Sequence, residues 1–168
     1  MSSRGCPYRC TFCSPTLRQS YGRGFRGLEP ERLVADMERL WRDHAISAFY
    51  FIDDVMTYDR ERALEFAEQL AARRLPIQFV VQTRPDLVDP ELLAALKRAG
   101  CAAIKMGVES GSDSVLRRIR KGVLRERIAQ AAADVHAAGL GLTAYYMLGH
   151  PGETLADIKQ TMKLADAV

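Results

Sequence analysis

A chain of 168 residues is the size of one domain, and folding at that size removes about 70% of the extended surface from water. With 48% apolar and 27% charged residues and a net charge of +3, the chain has the composition of an ordinary globule, and its charge is too small to argue for a nucleic-acid partner. No apolar run approaches the roughly 20 residues of a membrane span and no signal-peptide pattern opens the chain, so a cytoplasmic protein without a membrane partner is expected.

Residues 1–5 are too few for a strand of their own. The stretch Gly5-Cys6-Pro7-Tyr8-Arg9-Cys10-Thr11-Phe12-Cys13-Ser14-Pro15 then sets three of the four cysteines at C-x3-C-x2-C spacing between turn-forming Gly and Pro. One loop built this way can aim three sulfurs at one point. A disulfide uses two sulfurs and a closed structural zinc site takes four ligands, whereas three thiolates suit an iron–sulfur cluster that keeps one iron free of protein. A partial zinc site stays open beside that reading. Clustered thiols of this kind belong to a reducing compartment, not to a disulfide scaffold.

Tyr21-Gly22-Arg23-Gly24-Phe25-Arg26-Gly27 formally contains G-x-G-x-x-G. The dinucleotide fingerprint requires a strand before it and a helix opening within it, but here the cysteine loop precedes it and the helix waits until Pro30. Its glycines therefore read as flexible loop. Pro30 suits a first helical turn, and Leu33, Val34, Met37, Leu40 and Trp41 recur on one helical face. Residues 48–52 form a short apolar strand ending in Asp53-Asp54, and 59–74 return to a helical pattern. A strand at 77–83 is followed by Arg84-Pro85-Asp86, and Asp89-Pro90 is an N-cap with a first-turn proline.

Gly100 ends that helix, and Cys101 at the turn into the next apolar run reads as a small buried hydrophobe. The strand at 102–108 ends in Glu109-Ser110-Gly111. A helix from about Ser112 loosens near Gly122 and resumes to about Ala138, and the arginines at 117, 118, 120, 125 and 127 read as its solvated face. A last strand at 142–148 meets the turn Gly149-His150-Pro151-Gly152, and Thr154-x-x-Asp157 resembles a capping box. Strand and helix thus alternate four times, which predicts an α/β fold with a parallel sheet, right-handed crossovers and strands buried on both faces. An eight-fold barrel would need about 250 residues, so the sheet is at most part of one. In such folds ligands gather at the carboxyl ends of the strands, here Asp53-Asp54, 82–84, Glu109-Ser110 and 149–153.

Cys-Pro-Tyr-Arg-Cys-Thr-Phe-Cys resembles the signature of the radical S-adenosylmethionine (SAM) superfamily, and the resemblance extends over nearly all of the chain. It implies a partial (β/α)6 TIM-like barrel whose cluster loop follows the first strand. Most of that strand is missing before Arg4 and no sixth strand follows Val168. The expectation is therefore one radical SAM core domain, residues 1–168, truncated at both ends. The resemblance assigns Cys6, Cys10 and Cys13 to a [4Fe–4S] cluster whose fourth iron takes the amino and carboxylate groups of SAM. Phe12 matches the aromatic residue beside the adenine. Asp53-Asp54 stands where the family often carries a stretch that holds the SAM amino group. Glu109 in G-V-E-S-G-S matches a ribose ligand, Lys121 in R-I-R-K-G a partner of the SAM carboxylate, and Gly149 in M-L-G-H-P-G-E-T the segment near the adenine. No residue is assigned a catalytic role, and His150 receives none.

The implied activity is that of an enzyme in which the reduced cluster cleaves SAM to methionine and a 5′-deoxyadenosyl radical, which abstracts hydrogen from a small-molecule substrate. An electron donor such as a flavodoxin or ferredoxin is the implied partner. S-R-G-C-P-Y-R-C-T-F-C-S, F-I-D-D and T-R-P-D-L-V-D-P-E-L-L are most similar to the cobalamin-binding branch, which includes methyltransferases and oxidative cyclases. Cobalamin would then sit on a domain outside this chain. The alternatives are a tRNA methylthiotransferase-type enzyme, which shares G-V-E-S-G-S, and a non-catalytic metal-binding module or inactive fragment. The module would draw a fourth ligand from His44, His136 or His150.

Overall fold

The computed structural model describes residues 1–13, 22 and 24–168; Ser14, Pro15, Tyr21 and Arg23 of the two loop motifs lie outside that set. The chain opens with a two-residue strand, β1 (Ser3–Arg4), paired antiparallel with β2 (Arg26–Gly27) across the base of the cysteine loop. Arg26 and Gly27 thus lie in a strand, not at a helix start, consistent with a chance match to the dinucleotide pattern.

Helix α1 (Pro30–His44) carries proline in its first turn and buries Leu33, Val34 and Met37, as the spacing predicts. It is followed by β3 (Ala48–Tyr50), shorter than expected, and by α2 (Arg60–Arg73), capped by the Asp59 carboxylate, which accepts from the Arg62 amide. Strand β4 (Gln78–Thr83) leads through a 3-10 turn at Pro85–Leu87 to α3 (Pro90–Arg98), where Asp89 accepts from the Leu92 amide. Strand β5 (Cys101–Glu109) comes next. The helical stretch expected to loosen near Gly122 is divided there into α4 (Asp113–Arg118) and α5 (Arg125–Ala137), with positive φ at Arg120 and Gly122 between them. Strand β6 (Gly141–Tyr146) and α6 (Leu155–Ala165) end the chain, and both halves of the Thr154–Asp157 capping box form. None of these helices is long and apolar enough to cross a membrane.

The main sheet is parallel throughout, in the order β3-β4-β5-β6. Consecutive order means that every crossover steps the same way. With right-handed crossovers the helices then fall on one side of the sheet, as in a barrel and unlike a doubly wound fold. The expected burial on both faces is corrected accordingly. On the covered face Phe79, Val81, Ile104, Met106 and Val108 are at most 1% exposed. Phe51, Phe66 and Phe79 meet there edge to face at 5.6–5.9 Å, a geometry worth about 0.5–1.5 kcal/mol per pair beyond area burial. The other face presents Tyr50, Val80, Gln82, Lys105, Thr143 and Tyr145, all partly or well exposed. It forms the concave inner wall.

Candidate functional site

The cysteine loop lies over the carboxyl ends of the strands and encloses with them a cavity of about 250 Å³. From the loop come Cys6, Tyr8, Cys10, Phe12 and Cys13. Asp54 follows β3, Gln82 to Arg84 end β4, Gly107 and Glu109 end β5, Lys121 follows α4 and Tyr145 comes from β6. These are the positions where a parallel βα array gathers ligands.

Local contacts hold the loop in place. Gly5 has φ +88°, and a Cβ there would lie 2.2 Å from the Gly24 carbonyl oxygen, so only glycine allows the two sides of the loop base to meet. The Thr11 amide donates to the Ile119 carbonyl at 2.9 Å and the Cys13 amide to that of Cys10 at 3.3 Å. Below them the Ser2 amide, the Ser2 hydroxyl and the Ser3 hydroxyl all donate to the Asp53 carboxylate at 2.5–2.9 Å. Arg62 donates to the carbonyls of Leu28 at 2.7 Å and Ser2 at 2.9 Å.

That clamp separates two neighbours expected to act together. Asp53 is fully buried, spends its carboxylate on Ser2 and Ser3 and is not on the cavity wall. Its expected role as a cofactor ligand is replaced by one in anchoring the N-terminus. Asp54 faces the cavity, and burial, with the Asp53 charge behind it, raises its pKa above the ordinary carboxylate value despite a hydrogen bond from the Gly5 amide.

Glu109 and Lys121 meet as an ion pair at 2.9 Å, with side chains 10% and 4% exposed. A bulge between Gly107 and Glu109 breaks the β5–β6 register, and Glu109 adopts φ +73°, an uncommon conformation for a residue with a side chain. Gly107 makes room for the pair, because a Cβ there would stand 2.5 Å from Glu109 Oε1 and 3.1 Å from Lys121 Nζ. Backbone strain of this kind concentrates at functional sites.

Phe12 lies on the cavity wall, with Lys121 Nζ 5.8 Å from its ring centroid and the His150 ring edge-on at 6.0 Å. Gly149 does not reach the wall. Its amide and that of His150 donate to Glu153 Oε2, so this turn supports the cavity through His150 and Phe12. His44 and His136 are exposed on helices remote from the cysteine loop, which removes them as fourth ligands. Cys101 is 3% exposed and burial pushes its thiol up to about 12, so it is the buried apolar residue expected.

Two residues of the site received no role from the sequence, although Arg84 stood among the strand-end positions. Arg84 is 5% exposed; its guanidinium lies 3.6 Å over the Tyr8 ring, donates to Cys10 Sγ at 3.5 Å and to the Lys121 carbonyl, and pairs with Asp86 at 3.0–3.1 Å. The signal was Pro85, which holds the residue before it extended, and Arg84 has φ −107° and ψ 154°. Tyr8, inside the cysteine motif, supplies the ring beneath it.

All four cysteines are free thiols. Among the described residues no three His, Cys, Asp or Glu side chains converge on one metal ion. A mononuclear site needs every ligand about 2.3 Å from a single atom, whereas a cluster takes one thiolate at each of several irons. Three free thiols around one cavity wall, with a guanidinium against one sulfur, fit the cluster. Burial raises the Cys6 pKa, so a metal bound there would displace its proton.

The Radical SAM superfamily family matches residues 1–165. The chain belongs to the radical SAM superfamily. It is 30% identical over 165 residues to an uncharacterised methyltransferase of Pyrococcus horikoshii, covering 98% of this chain and 36% of that protein. It is 29% identical over 167 residues to the anaerobic magnesium-protoporphyrin IX monomethyl ester cyclase of Cereibacter sphaeroides, covering 97% and 27%. Over 175 residues it is 30% identical to the tRNA-2-methylthio-N(6)-dimethylallyladenosine synthase of Moorella thermoacetica, covering 98% and 38%. Among solved structures, the cobalamin-dependent SAM radical enzyme OxsB, with aqua-cobalamin and SAM bound, superposes with a TM-score of 0.86 at 26% identity, covering 97% of this chain and 25% of that one. The fold is the partial TIM-like barrel of radical SAM enzymes, and the chain spans little more than a third or less of these relatives' length.

Proposed function

We propose that residues 1–168 are a single radical SAM core in which Cys6, Cys10 and Cys13 hold a [4Fe–4S] cluster and the adjoining cavity holds SAM. The observation that carries this reading is the gathering of the three cysteines, Phe12, Asp54, Glu109 and Lys121 around one cavity at the strand ends. When bound, the two cofactors supply a carbon-centred radical, formed by reductive cleavage of the sulfonium, that takes hydrogen from an unactivated carbon.

The protein's own residues bind and orient. Lys121 offers its ammonium to the SAM carboxylate and Glu109 accepts from the ribose hydroxyls. Each now satisfies the other, so ligand binding exchanges one buried ion pair for a new ion pair at Lys121 and hydrogen bonds at Glu109. Asp54 accepts from the SAM amino group, and N–H donors placed there favour its ionised form and lower its raised pKa. Phe12 lies against the adenine, backed by His150 and the Gly149 turn. Arg84 donates to the Cys10 sulfur, a contact of the kind that tunes cluster potential, while Tyr8 and the loop keep water from the cavity.

In the whole protein this core works beside a cobalamin-binding domain, in methyl transfer or oxidative cyclisation of a small molecule, with electrons from a flavodoxin- or ferredoxin-type donor in the cytoplasm. The likeness to OxsB and to the cyclase supports that branch. The identity to the methylthiotransferase supports a second reading, separated from the first by cobalamin content.

The test is anaerobic reconstitution with iron and sulfide, reduction, and electron paramagnetic resonance (EPR) with and without SAM. The expected result is an oxygen-sensitive [4Fe–4S]⁺ signal that changes on adding SAM, is lost in Cys10→Ala and persists in Cys101→Ala. Equal iron content in those two variants, or zinc in place of a cluster, overturns the assignment.

A further inference from the structure

The concave wall carries a charge that the cofactor cavity leaves unused. Lys105 lies mid-way along β5, in register with Gln82 of β4 and Thr143 of β6 and two residues before Gly107 on the cavity wall. At about 3.3 Å per residue its backbone is roughly 7 Å from that wall. Its Nζ lies 4.3 Å from the Tyr50 ring centroid, and no carboxylate pairs with it among the described residues. The Tyr50 and Tyr145 phenols beside it raise its pKa, which keeps it a cation and rules against use as an amine nucleophile.

These groups remain accessible: Tyr50 is 48% and Tyr145 41% exposed, and Tyr145 also lines the cofactor cavity. Each phenol has its own O–H to donate. The ammonium and the two hydroxyls therefore offer donors along the same stretch of wall. Their single positive charge matches a monoanion, whereas a phosphate dianion would leave one charge uncompensated. The Tyr50 and Tyr145 rings, with exposed Ile52 and Met147 two residues further on, give the rest of the wall an apolar character.

We propose that Lys105, Tyr50 and Tyr145 form a substrate subsite for a carboxylate carried on an apolar body, adjoining the cofactor cavity through Tyr145. The position of the reacting carbon in that cavity rests on the radical SAM reading; the carboxylate subsite does not.

The experiment is calorimetric titration of the reconstituted full-length protein with 4-phenylbutyrate and with its uncharged counterpart 4-phenylbutanol. Wild type is expected to prefer the acid by about tenfold or more, the scale of one charge-assisted contact. Lys105→Met should lose that preference with its affinity for the alcohol and its thermal unfolding unchanged, and Lys105→Arg should keep most of it. Equal affinity of wild type for acid and alcohol overturns the proposal, as does a preference that survives in Lys105→Met. Inorganic phosphate competing better than acetate overturns the carboxylate assignment. EPR with SAM on the same preparations separates the two readings. A SAM-responsive cluster without acid preference sinks the subsite alone, and acid preference without such a cluster sinks the radical SAM reading alone.

Discussion

The two faces of the sheet are made from alternate residues of the same strands, yet they do different work. Along β4, Phe79 and Val81 point under the helices and are at most 1% exposed, while Val80 and Gln82 face the concavity. Along β5, Ile104 and Met106 are buried and the intervening Lys105 and Gly107 are not. The covered face decides that the chain folds; the open face decides what it holds. Polar and strained features, among them the Glu109–Lys121 pair and the Lys105 cation, collect where burial energy does not dictate residue type.

The largest effect should come from the covered face. Phe79→Ala removes one ring of the Phe51–Phe66–Phe79 cluster and should cost about 3–5 kcal/mol in chemical denaturation. Gln82→Ala, three residues on and across the sheet, should stay within about 0.5 kcal/mol. A comparable loss in both would erase the distinction between the faces.

A smaller effect belongs to the rim where the faces meet. Lys121→Met leaves the Glu109 carboxylate buried without its partner and should cost about 2 kcal/mol, together with a rise in the dissociation constant for SAM. Adding Glu109→Gln should recover most of the stability and none of the SAM affinity. That split separates a packing role from a ligand role.

The smallest varies with pH. Hydrogen bonds from the Ser112 hydroxyl, from the Thr154 amide and hydroxyl and from the Ser114 hydroxyl hold the Asp157 pKa below its ordinary value. Its folded pKa is depressed, so its stabilisation is full above the ordinary carboxylate pKa of about 4 and disappears as pH falls below it. Asp157→Asn should lower the unfolding temperature at pH 7 and converge with wild type below about pH 4, measured by thermal unfolding across pH. It would show that α6 is joined to the start of α4 by polar bonds.

How far the sequence reveals this depends on the range of the interaction. Helix starts at Pro30, Asp89-Pro90 and Thr154-x-x-Asp157 are local signals and were legible, as was the cysteine spacing. The open face was not. The run at 102–108 is nearly all apolar, and only pairing with β4 and β6 shows that Lys105 points into a concavity. Asp53 and Asp54 are identical in type and adjacent, and their separation depends on Ser2 and Ser3, about fifty residues away in sequence. Arg84 was visible as a strand-end residue before proline, but its role was not. Its contacts to Tyr8, Cys10 and Lys121 join three distant stretches, which no local pattern encodes.

The clasp at the base of the cysteine loop has a consequence for how such proteins diversify. Ser3 and Arg4 pair with Gly27 and Arg26, the Leu28 amide donates to the Ser2 carbonyl, and Asp53 and Arg62 bolt both ends to the barrel. The loop therefore leaves and rejoins the scaffold at one point. Closure entropy for a tied loop grows only as the logarithm of its length, about 0.6 kcal/mol per doubling. Insertions or deletions between the last cysteine and Arg26 should therefore be thermodynamically cheap, while the bolts themselves tolerate little change. Loop length becomes a variable that selection can explore without disturbing the barrel beneath it.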